Sequence, residues 1–258
     1  MRKLICVTLA LLLLAITLAQ TFTGTYAAGG NLKGVMIDYR YAVEGQPGAP
    51  SFAALRAAHF SIVGTEAFST FTVKEWASFA SWVRSAQSNG FTTFVILSGD
   101  GIPFSSVIST AESAARLNVD ILVLDEMIST YGLTKQQLLT GINAILNLRI
   151  SWPIILDEYV STDVQDAYAW TASYSNVRIA TDDYSSQSTI ALGISLASKY
   201  NKKAMAWIDF VLTSPEQPCY ANLSAWLAYV SGKPVDVLFY YVNADGGWTV
   251  NWSKVVSF

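Results

Sequence analysis

The alternation of eight apolar segments with amphipathic segments is the feature that most restricts the fold of this chain. The apolar segments are rich in β-branched residues and are predicted to be strands buried on both faces, which is typical of a parallel sheet. They are GVMIDY, FSIVGTEA, FTTFVILSGD, VDILVLDE, WPIILDEY, VRIATDDY, KAMAWIDF and VDVLFYYVN. The intervening segments, for example VKEWASFASWVRSAQSNG and TKQQLLTGINAILNLR, carry apolar residues at helical spacing. Strands and helices are therefore expected to alternate along the chain.

This alternation predicts an α/β fold, a single compact (β/α)8 TIM barrel. An open doubly wound sheet is the alternative, but the first predicted strand is followed by RYAVEG, which is not the Gly-rich phosphate-binding turn of such sheets. No linker, low-complexity tract or break in composition divides the domain. Thr134, Thr162 and Asn222 are predicted helix N-caps, and Gly90 and Gly232 are predicted to end helices.

The first 28 residues are predicted to be a signal peptide that precedes the barrel. Arg2 and Lys3 come before an uncharged apolar stretch from Leu4 to Ala19, which is the pattern of a secretory signal. The stretch is slightly shorter than the roughly 20 residues that a spanning helix needs, and a retained N-terminal anchor is the alternative. We therefore expect a secreted or extracellular barrel domain at residues 29–258, attached to a membrane only if that anchor is retained.

Residue usage excludes several partners and chemistries. Without Arg2 and Lys3 the chain has 14 basic and 19 acidic residues and no basic stripe, so nucleic acid is not an expected partner. His59 is the only histidine, and Cys219 is the only cysteine outside the predicted signal peptide. A Ser-His-Asp triad, a Cys-His pair and a zinc site of His or Cys ligands therefore lack the residues they need. An enzyme of this composition has to use carboxylates, and no cofactor is expected.

Acidic residues recur where the predicted strands end. Ten of the 19 acidic residues lie there, at Asp38, Glu66, Asp100, Asp125-Glu126, Asp157-Glu158, Asp182-Asp183 and Asp209, and the eighth strand ends at Asn243. In a barrel, the C-terminal ends of all strands converge on one face, where active sites are built. Strand alternation directs one member of each tandem pair toward this mouth and the other toward the helices. The sequence does not determine which member of each pair faces the mouth and which faces the helices.

Clustered carboxylates suit three chemistries. Glycoside hydrolysis needs one acid that protonates the leaving oxygen and one carboxylate that acts as nucleophile or base. A Mg²⁺ or Ca²⁺ site would use carboxylate oxygens as ligands, whereas a sugar-binding protein needs them only as acceptors for hydroxyl groups. Aromatic residues near the same strand ends favour a sugar, whose apolar faces suit aromatic rings; they are Tyr39, Tyr41, Tyr159, Tyr184, Phe210, Tyr240, Tyr241, Trp248 and Trp252.

Three segments resemble clan D glycoside hydrolases, the α-galactosidase type. NGFTTFVILSGDGI is similar to the third strand of that clan, VDILVLDEM to its fourth and VRIATDDYS to its sixth. The resemblance implies that Asp125 is the nucleophile and Asp182 the acid/base, with Glu158 near the position of a glutamate on the clan's fifth strand. The chain departs from the clan at Val123, where the clan has a lysine. Other barrel glycosidases suggest Glu126 and Asp209 as a rival pair of acid and nucleophile.

The leading prediction is a secreted carbohydrate-active enzyme that hydrolyses glycosidic bonds at the acidic mouth. Its predicted catalytic residues are Asp125 and Asp182, with Glu126, Glu158 and Asp209 as further candidates. The predicted substrate-binding residues are Asp38, Tyr39, Glu66, Asp100, Asp157, Asp183, Tyr184, Tyr240, Asn243 and Trp248. The alternatives are a non-catalytic exported protein, which binds sugar or builds a surface or filament, and a hydrolase that depends on Mg²⁺ or Ca²⁺.

Overall fold

Eight parallel strands close into a barrel in the order of the sequence. The computed structural model describes residues 33–47, 49–97, 103–182, 187–209 and 228–241. The strands are β1 (Lys33–Ile37), β2 (Ile62–Glu66), β3 (Thr92–Leu97), β4 (Ile121–Asp125), β5 (Ile154–Glu158), β6 (Val177–Asp182), β7 (Ala204–Asp209) and β8 (Val235–Tyr241). β8 pairs with β1, with Met36 opposite Tyr240. The predicted (β/α)8 barrel is confirmed, and the alternative of an open sheet is wrong.

Seven helices lie between these strands in the described part of the chain. They are α1 (Tyr39–Ala42), α2 (Phe52–Ala57), α3 (Val73–Ser88), α4 (Phe104–Arg116), α5 (Lys135–Leu148), α6 (Ser161–Trp170) and α7 (Gln187–Lys199). Residues 228–230 are also helical. No helix within the described ranges is long and apolar enough to cross a membrane. Residues 1–28 lie outside those ranges, so the signal peptide and the boundary at residue 29 stay predictions.

Local signals set most of the helix ends. The Thr134 hydroxyl accepts the N–H of Gln137, whose side chain accepts the N–H of Thr134 in return, so the cap predicted there is confirmed as a capping box. Gly90 and Gly232 each follow a helical segment in left-handed backbone, with φ of 79° and 73°, as predicted. The cap predicted at Thr162 is wrong, because α6 already begins at Ser161 and Val160 is its N-cap. Asn222 lies outside the described residues.

Residues along each strand alternate between two layers of core. One set packs against the helices in a continuous cluster that includes Val63, Leu124 and Leu156. The other set fills the barrel interior, where Phe94 of β3 meets Trp207 of β7 edge to face with ring centroids 6.1 Å apart. The Phe94 ring also covers Gly64 of β2, where an added Cβ would lie 2.2 Å from a ring carbon. The interior below the mouth is therefore packed with side chains.

A buried ion cluster lies near the N-terminal end of the barrel. The Asp236 side chain, on the second residue of β8, is fully buried. Its Oδ2 accepts a hydrogen bond from Arg178 Nη1 at 2.8 Å, and its Oδ1 lies 2.6 Å from Lys203 Nζ. The positive charges of this cluster are thus close to the opposite end of the barrel from the acids at the strand C-termini.

Candidate active site

Alternation along β4 and β5 decides which acid of each tandem pair faces the barrel interior. Leu124 and Leu156 belong to the layer packed against the helices, so the next residues, Asp125 and Asp157, project to the opposite side. These two aspartates lie opposite each other in the register of β4 and β5. Asp125 is half-buried and Asp157 is buried. The mouth therefore receives two carboxyl groups from neighbouring strands, and that of Asp157 is the more deeply buried.

Glu158 faces the helix side and holds the loop after β4. Its carboxylate accepts hydrogen bonds from the N–H of Ile128 at 2.8 Å, the N–H of Ser129 at 3.0 Å and the Ser129 hydroxyl at 2.8 Å. The side chain is fully buried, and this burial raises its pKa to about 7 against the lowering effect of the three hydrogen bonds. Glu158 thus anchors the β4–α5 loop at the edge of the mouth.

Glu126 starts this same loop. It lies in left-handed backbone with φ of 52°. Its carboxylate accepts a hydrogen bond from the Thr130 hydroxyl, and its backbone N–H donates to the Asp157 carbonyl at 2.8 Å. The side chain of Glu126 is therefore engaged with its own loop, whereas that of Asp125 lies on the inner face of the barrel.

A second pair of acids consists of Asp38, directly after β1, and Glu66, the last residue of β2. Val63 and Ala67 pack in the helix-side layer, so Glu66 projects inward. The buried Asp38 forms a two-point ion pair with Arg40, whose Nε and Nη2 donate to the carboxylate at 3.0 and 2.9 Å. The backbone N–H of Arg40 adds a third hydrogen bond to Asp38, at 2.9 Å. Asp38 is therefore held in place as the N-cap of α1.

Glu66 differs from Asp38 in its surroundings. It is half-buried, and burial together with the neighbouring charge of Asp38 raises its pKa to about 7. The charge of Arg40 and a hydrogen bond from the backbone N–H of Tyr39 act in the opposite direction. The carboxyl group of Glu66 is therefore suited to keep its proton at a higher pH than an ordinary glutamate.

Four half-buried aromatic residues lie on the chain that follows β1 and β2. This aromatic cluster consists of Tyr39, Phe68, Phe71 and Trp76. The Tyr39 ring meets Phe68 edge to face at 5.0 Å, and Phe71 meets Phe68 and Trp76, each at 5.5 Å between centroids. Phe68 and Phe71 are not among the residues predicted from the sequence, although both follow Glu66 in the segment EAFSTF. Tyr39, Phe71 and Trp76 pack against the helix-side core, in which Tyr41 is buried.

The remaining predicted site residues are described in part or not at all. Only the backbone is described for Asp182, which lies opposite Trp207, and for Asp209, which lies opposite Tyr240. Asp100, Asp183, Tyr184, Phe210, Asn243, Trp248 and Trp252 lie outside the described residues. Their roles stay predictions. Within the described ranges, no group of three or more His, Cys, Asp or Glu side chains is arranged to hold a metal ion.

Comparison with known proteins supports the fold. Neither protein families nor curated protein sequences provide a match. Among solved structures, a GH5 cellulase from an Icelandic hot spring isolate gives a TM-score of 0.61 at 10% identity, covering 88% of this chain and 79% of that one. An endo-β-N-acetylglucosaminidase from Cordyceps militaris gives a TM-score of 0.58 at 12% identity, and the match covers 92% of each chain. The 3-dehydroquinate dehydratase from Aquifex aeolicus gives a TM-score of 0.53 at 13% identity, and the match covers 88% of this chain and 96% of that one. At these identities the likeness shows the TIM-barrel fold alone.

Proposed function

We propose that this protein is a secreted glycoside hydrolase whose carboxyl groups act at the C-terminal mouth of the barrel. The observation that carries the proposal is the placement of Asp125 and Asp157 opposite each other on the inner face of β4 and β5. Glycoside hydrolysis is a reaction that two carboxyl groups can perform without a histidine, a cysteine or a cofactor. The occurrence of the same fold in a cellulase and in an endo-β-N-acetylglucosaminidase supports the choice of substrate class.

In this proposal Asp125 is the carboxylate that attacks the anomeric carbon. It is half-buried, so a substrate can reach it from the mouth. Asp157, which is more deeply buried beside it, accepts a hydrogen bond from a sugar hydroxyl. A second carboxyl group has to protonate the leaving oxygen, and the resemblance to clan D assigns this step to Asp182.

The aromatic cluster provides a surface on which a sugar ring can bind. Pyranose rings present apolar C–H faces and hydroxyl rims, and aromatic side chains beside carboxylates complement both. Tyr39 connects the cluster to the acids, because its backbone N–H donates to Glu66 while its ring packs on Phe68. The proposed substrate is therefore a carbohydrate with a ring bound over the β1–β2 side of the mouth.

The test is turnover of α- and β-linked aryl glycosides and polysaccharides by the purified protein and its variants. We expect Asp125→Asn to lower kcat/KM by a factor of about 10² or more. Glu112→Gln is the matched control, because it removes an exposed carboxylate, paired with Arg116, on the outer helix α4. This control should retain wild-type kcat/KM, and circular dichroism should show that both variants are folded.

Three results would contradict the proposal. Wild-type turnover that Asp125→Asn leaves unchanged would remove Asp125 from the reaction. Loss of turnover in Glu126→Gln but not in Asp125→Asn would favour the rival acid of the β4–α5 loop. A folded wild-type protein that binds oligosaccharides without cleaving any of them would support the non-catalytic alternative.

A further inference from the structure

We infer that Glu66 is the carboxylic acid that protonates the leaving oxygen, the step that the clan D resemblance assigns to Asp182. This inference rests on the proposed function and concerns the same mouth. Glu66 is the last residue of β2 and lies on its inner face, one inward position beyond Gly64. Because the Phe94 ring covers Gly64, the barrel is filled below Glu66. Its carboxyl group is therefore at the level where substrate can enter.

The surroundings of Glu66 favour a proton donor. Asp38 is held beside it by three hydrogen bonds from Arg40, two of them from the guanidinium group. The charge of Asp38 disfavours a negative charge at Glu66. Ile96, which lies opposite Glu66 on β3, adds no charge.

Burial acts in the same direction as Asp38. Burial is the largest cause of the rise in the pKa of Glu66 to about 7, and the charge of Asp38 is the second. Arg40 and the Tyr39 N–H oppose this rise without cancelling it. A general acid is most effective when its pKa lies near the working pH, so Glu66 can hold its proton near neutral pH and release it during bond cleavage.

The aromatic cluster begins beside this acid and is half-buried, so part of it is open to substrate. Tyr39 donates its backbone N–H to Glu66 and carries the ring that meets Phe68 and Phe71. A sugar ring stacked on this cluster would bring its glycosidic oxygen to the β2 side of the mouth. The leaving part of the substrate is therefore the part that we expect the cluster to bind.

The proton transfer balances within one turnover. The proton of Glu66 passes to the glycosidic oxygen as the bond from that oxygen to the anomeric carbon breaks, and Asp125 forms an ester bond to this carbon. Water then attacks the same carbon and gives its proton to the Glu66 carboxylate. The ester bond breaks, Asp125 leaves as a carboxylate, and both residues return to their starting states.

Glu66→Gln tests this role through the leaving group. An aryl glycoside with a strongly acidic phenol, such as dinitrophenol, needs no proton to leave, whereas an unactivated glycoside does. We expect Glu66→Gln to lower kcat/KM on the unactivated glycoside by a factor of about 10² or more and on the dinitrophenyl glycoside by less than about tenfold. Asp182→Asn should then affect both substrates by similar factors.

Asp38→Asn tests the charge beside Glu66 through the pH–rate profile. The substitution removes the negative charge that raises the pKa of Glu66 and keeps Arg40, whose positive charge lowers it, so this pKa should fall. The basic limb of kcat/KM should therefore move to lower pH. Glu44→Gln is the control, because it removes an exposed carboxylate from the segment after α1, and its basic limb should stay at the wild-type position.

The outcomes separate this inference from the proposed function. Equal losses of kcat/KM on both substrates in Glu66→Gln would overturn the role of Glu66. A loss in Asp182→Asn that is confined to the unactivated glycoside would overturn it as well. In either case, turnover that Asp125→Asn lowers would still support the proposed hydrolase. A basic limb that Asp38→Asn leaves in place would overturn the role of Glu66 too. Absence of turnover from the folded wild type would remove both proposals.

Discussion

Glu158→Gln measures how the fold accommodates a carboxyl group buried behind the proposed site. The wild-type carboxyl group, which holds its proton at pH 5, accepts the backbone N–H groups of Ile128 and Ser129 on its two oxygens. Glutamine keeps one acceptor oxygen, so its NH₂ group must face one of these N–H donors. A buried N–H that loses its acceptor costs about 1–3 kcal/mol. We expect this loss in the free energy of unfolding at pH 5.

The pH dependence of wild-type stability acts in the opposite direction, because it favours the variant as the pH rises. The pKa of Glu158 rises from 4.5 to about 7 in the folded protein, so between these values the folded state holds a proton that the unfolded state releases. Stability from this group is therefore present below about pH 4.5 and is lost as the pH rises through 7. For this fully buried group the loss amounts to about 3 kcal/mol.

Glutamine does not titrate, so the variant does not lose this stability as the pH rises. We expect Glu158→Gln to be less stable than wild type at pH 5 and at least as stable at pH 8. Glu66 titrates in the same window, but it is present in both proteins and cancels in their difference.

Urea unfolding at pH 5, 6, 7 and 8 measures this difference, with Glu112→Gln as a control that should stay within about 0.5 kcal/mol of wild type. A stability difference that is constant from pH 5 to pH 8 would refute the burial argument for Glu158. Wild-type stability of the variant at pH 5 would refute the assignment of Glu158 as the anchor of the β4–α5 loop.

Two further substitutions test the packing of the barrel. Asp236→Asn leaves Arg178 and Lys203 beside a neutral side chain and should lower the free energy of unfolding by about 3–5 kcal/mol; a loss below about 1 kcal/mol in urea would contradict the buried ion cluster. Gly64→Ala forces the Phe94 ring to move, since the added Cβ lies 2.2 Å from it, and should cost about 1–3 kcal/mol. An unchanged melting temperature would show that this ring does not cover Gly64.

The order of strands and helices is determined by the sequence itself. Apolar runs and helical periodicity depend on neighbouring residues, and they place β4 within VDILVLDE and β5 within WPIILDEY. The capping box at Thr134 is equally local, because its partner Gln137 is three residues away. The convergence of the strand C-termini on one face follows from the same pattern, once the strands are parallel and the sheet is closed.

Only the tertiary structure decides which way each acidic side chain points and what surrounds it. The sequence presents Asp125-Glu126 and Asp157-Glu158 as equivalent pairs, but the pleat of β4 and β5 against the helix layer directs the aspartates inward. Glu158 acquires its partners from a loop about 30 residues earlier in the chain. The raised pKa of Glu66 depends on burial and on Asp38, which follows the neighbouring strand β1, and neither is encoded in the residues around Glu66. Register and burial are relations between distant segments, and they exist only once the barrel has closed.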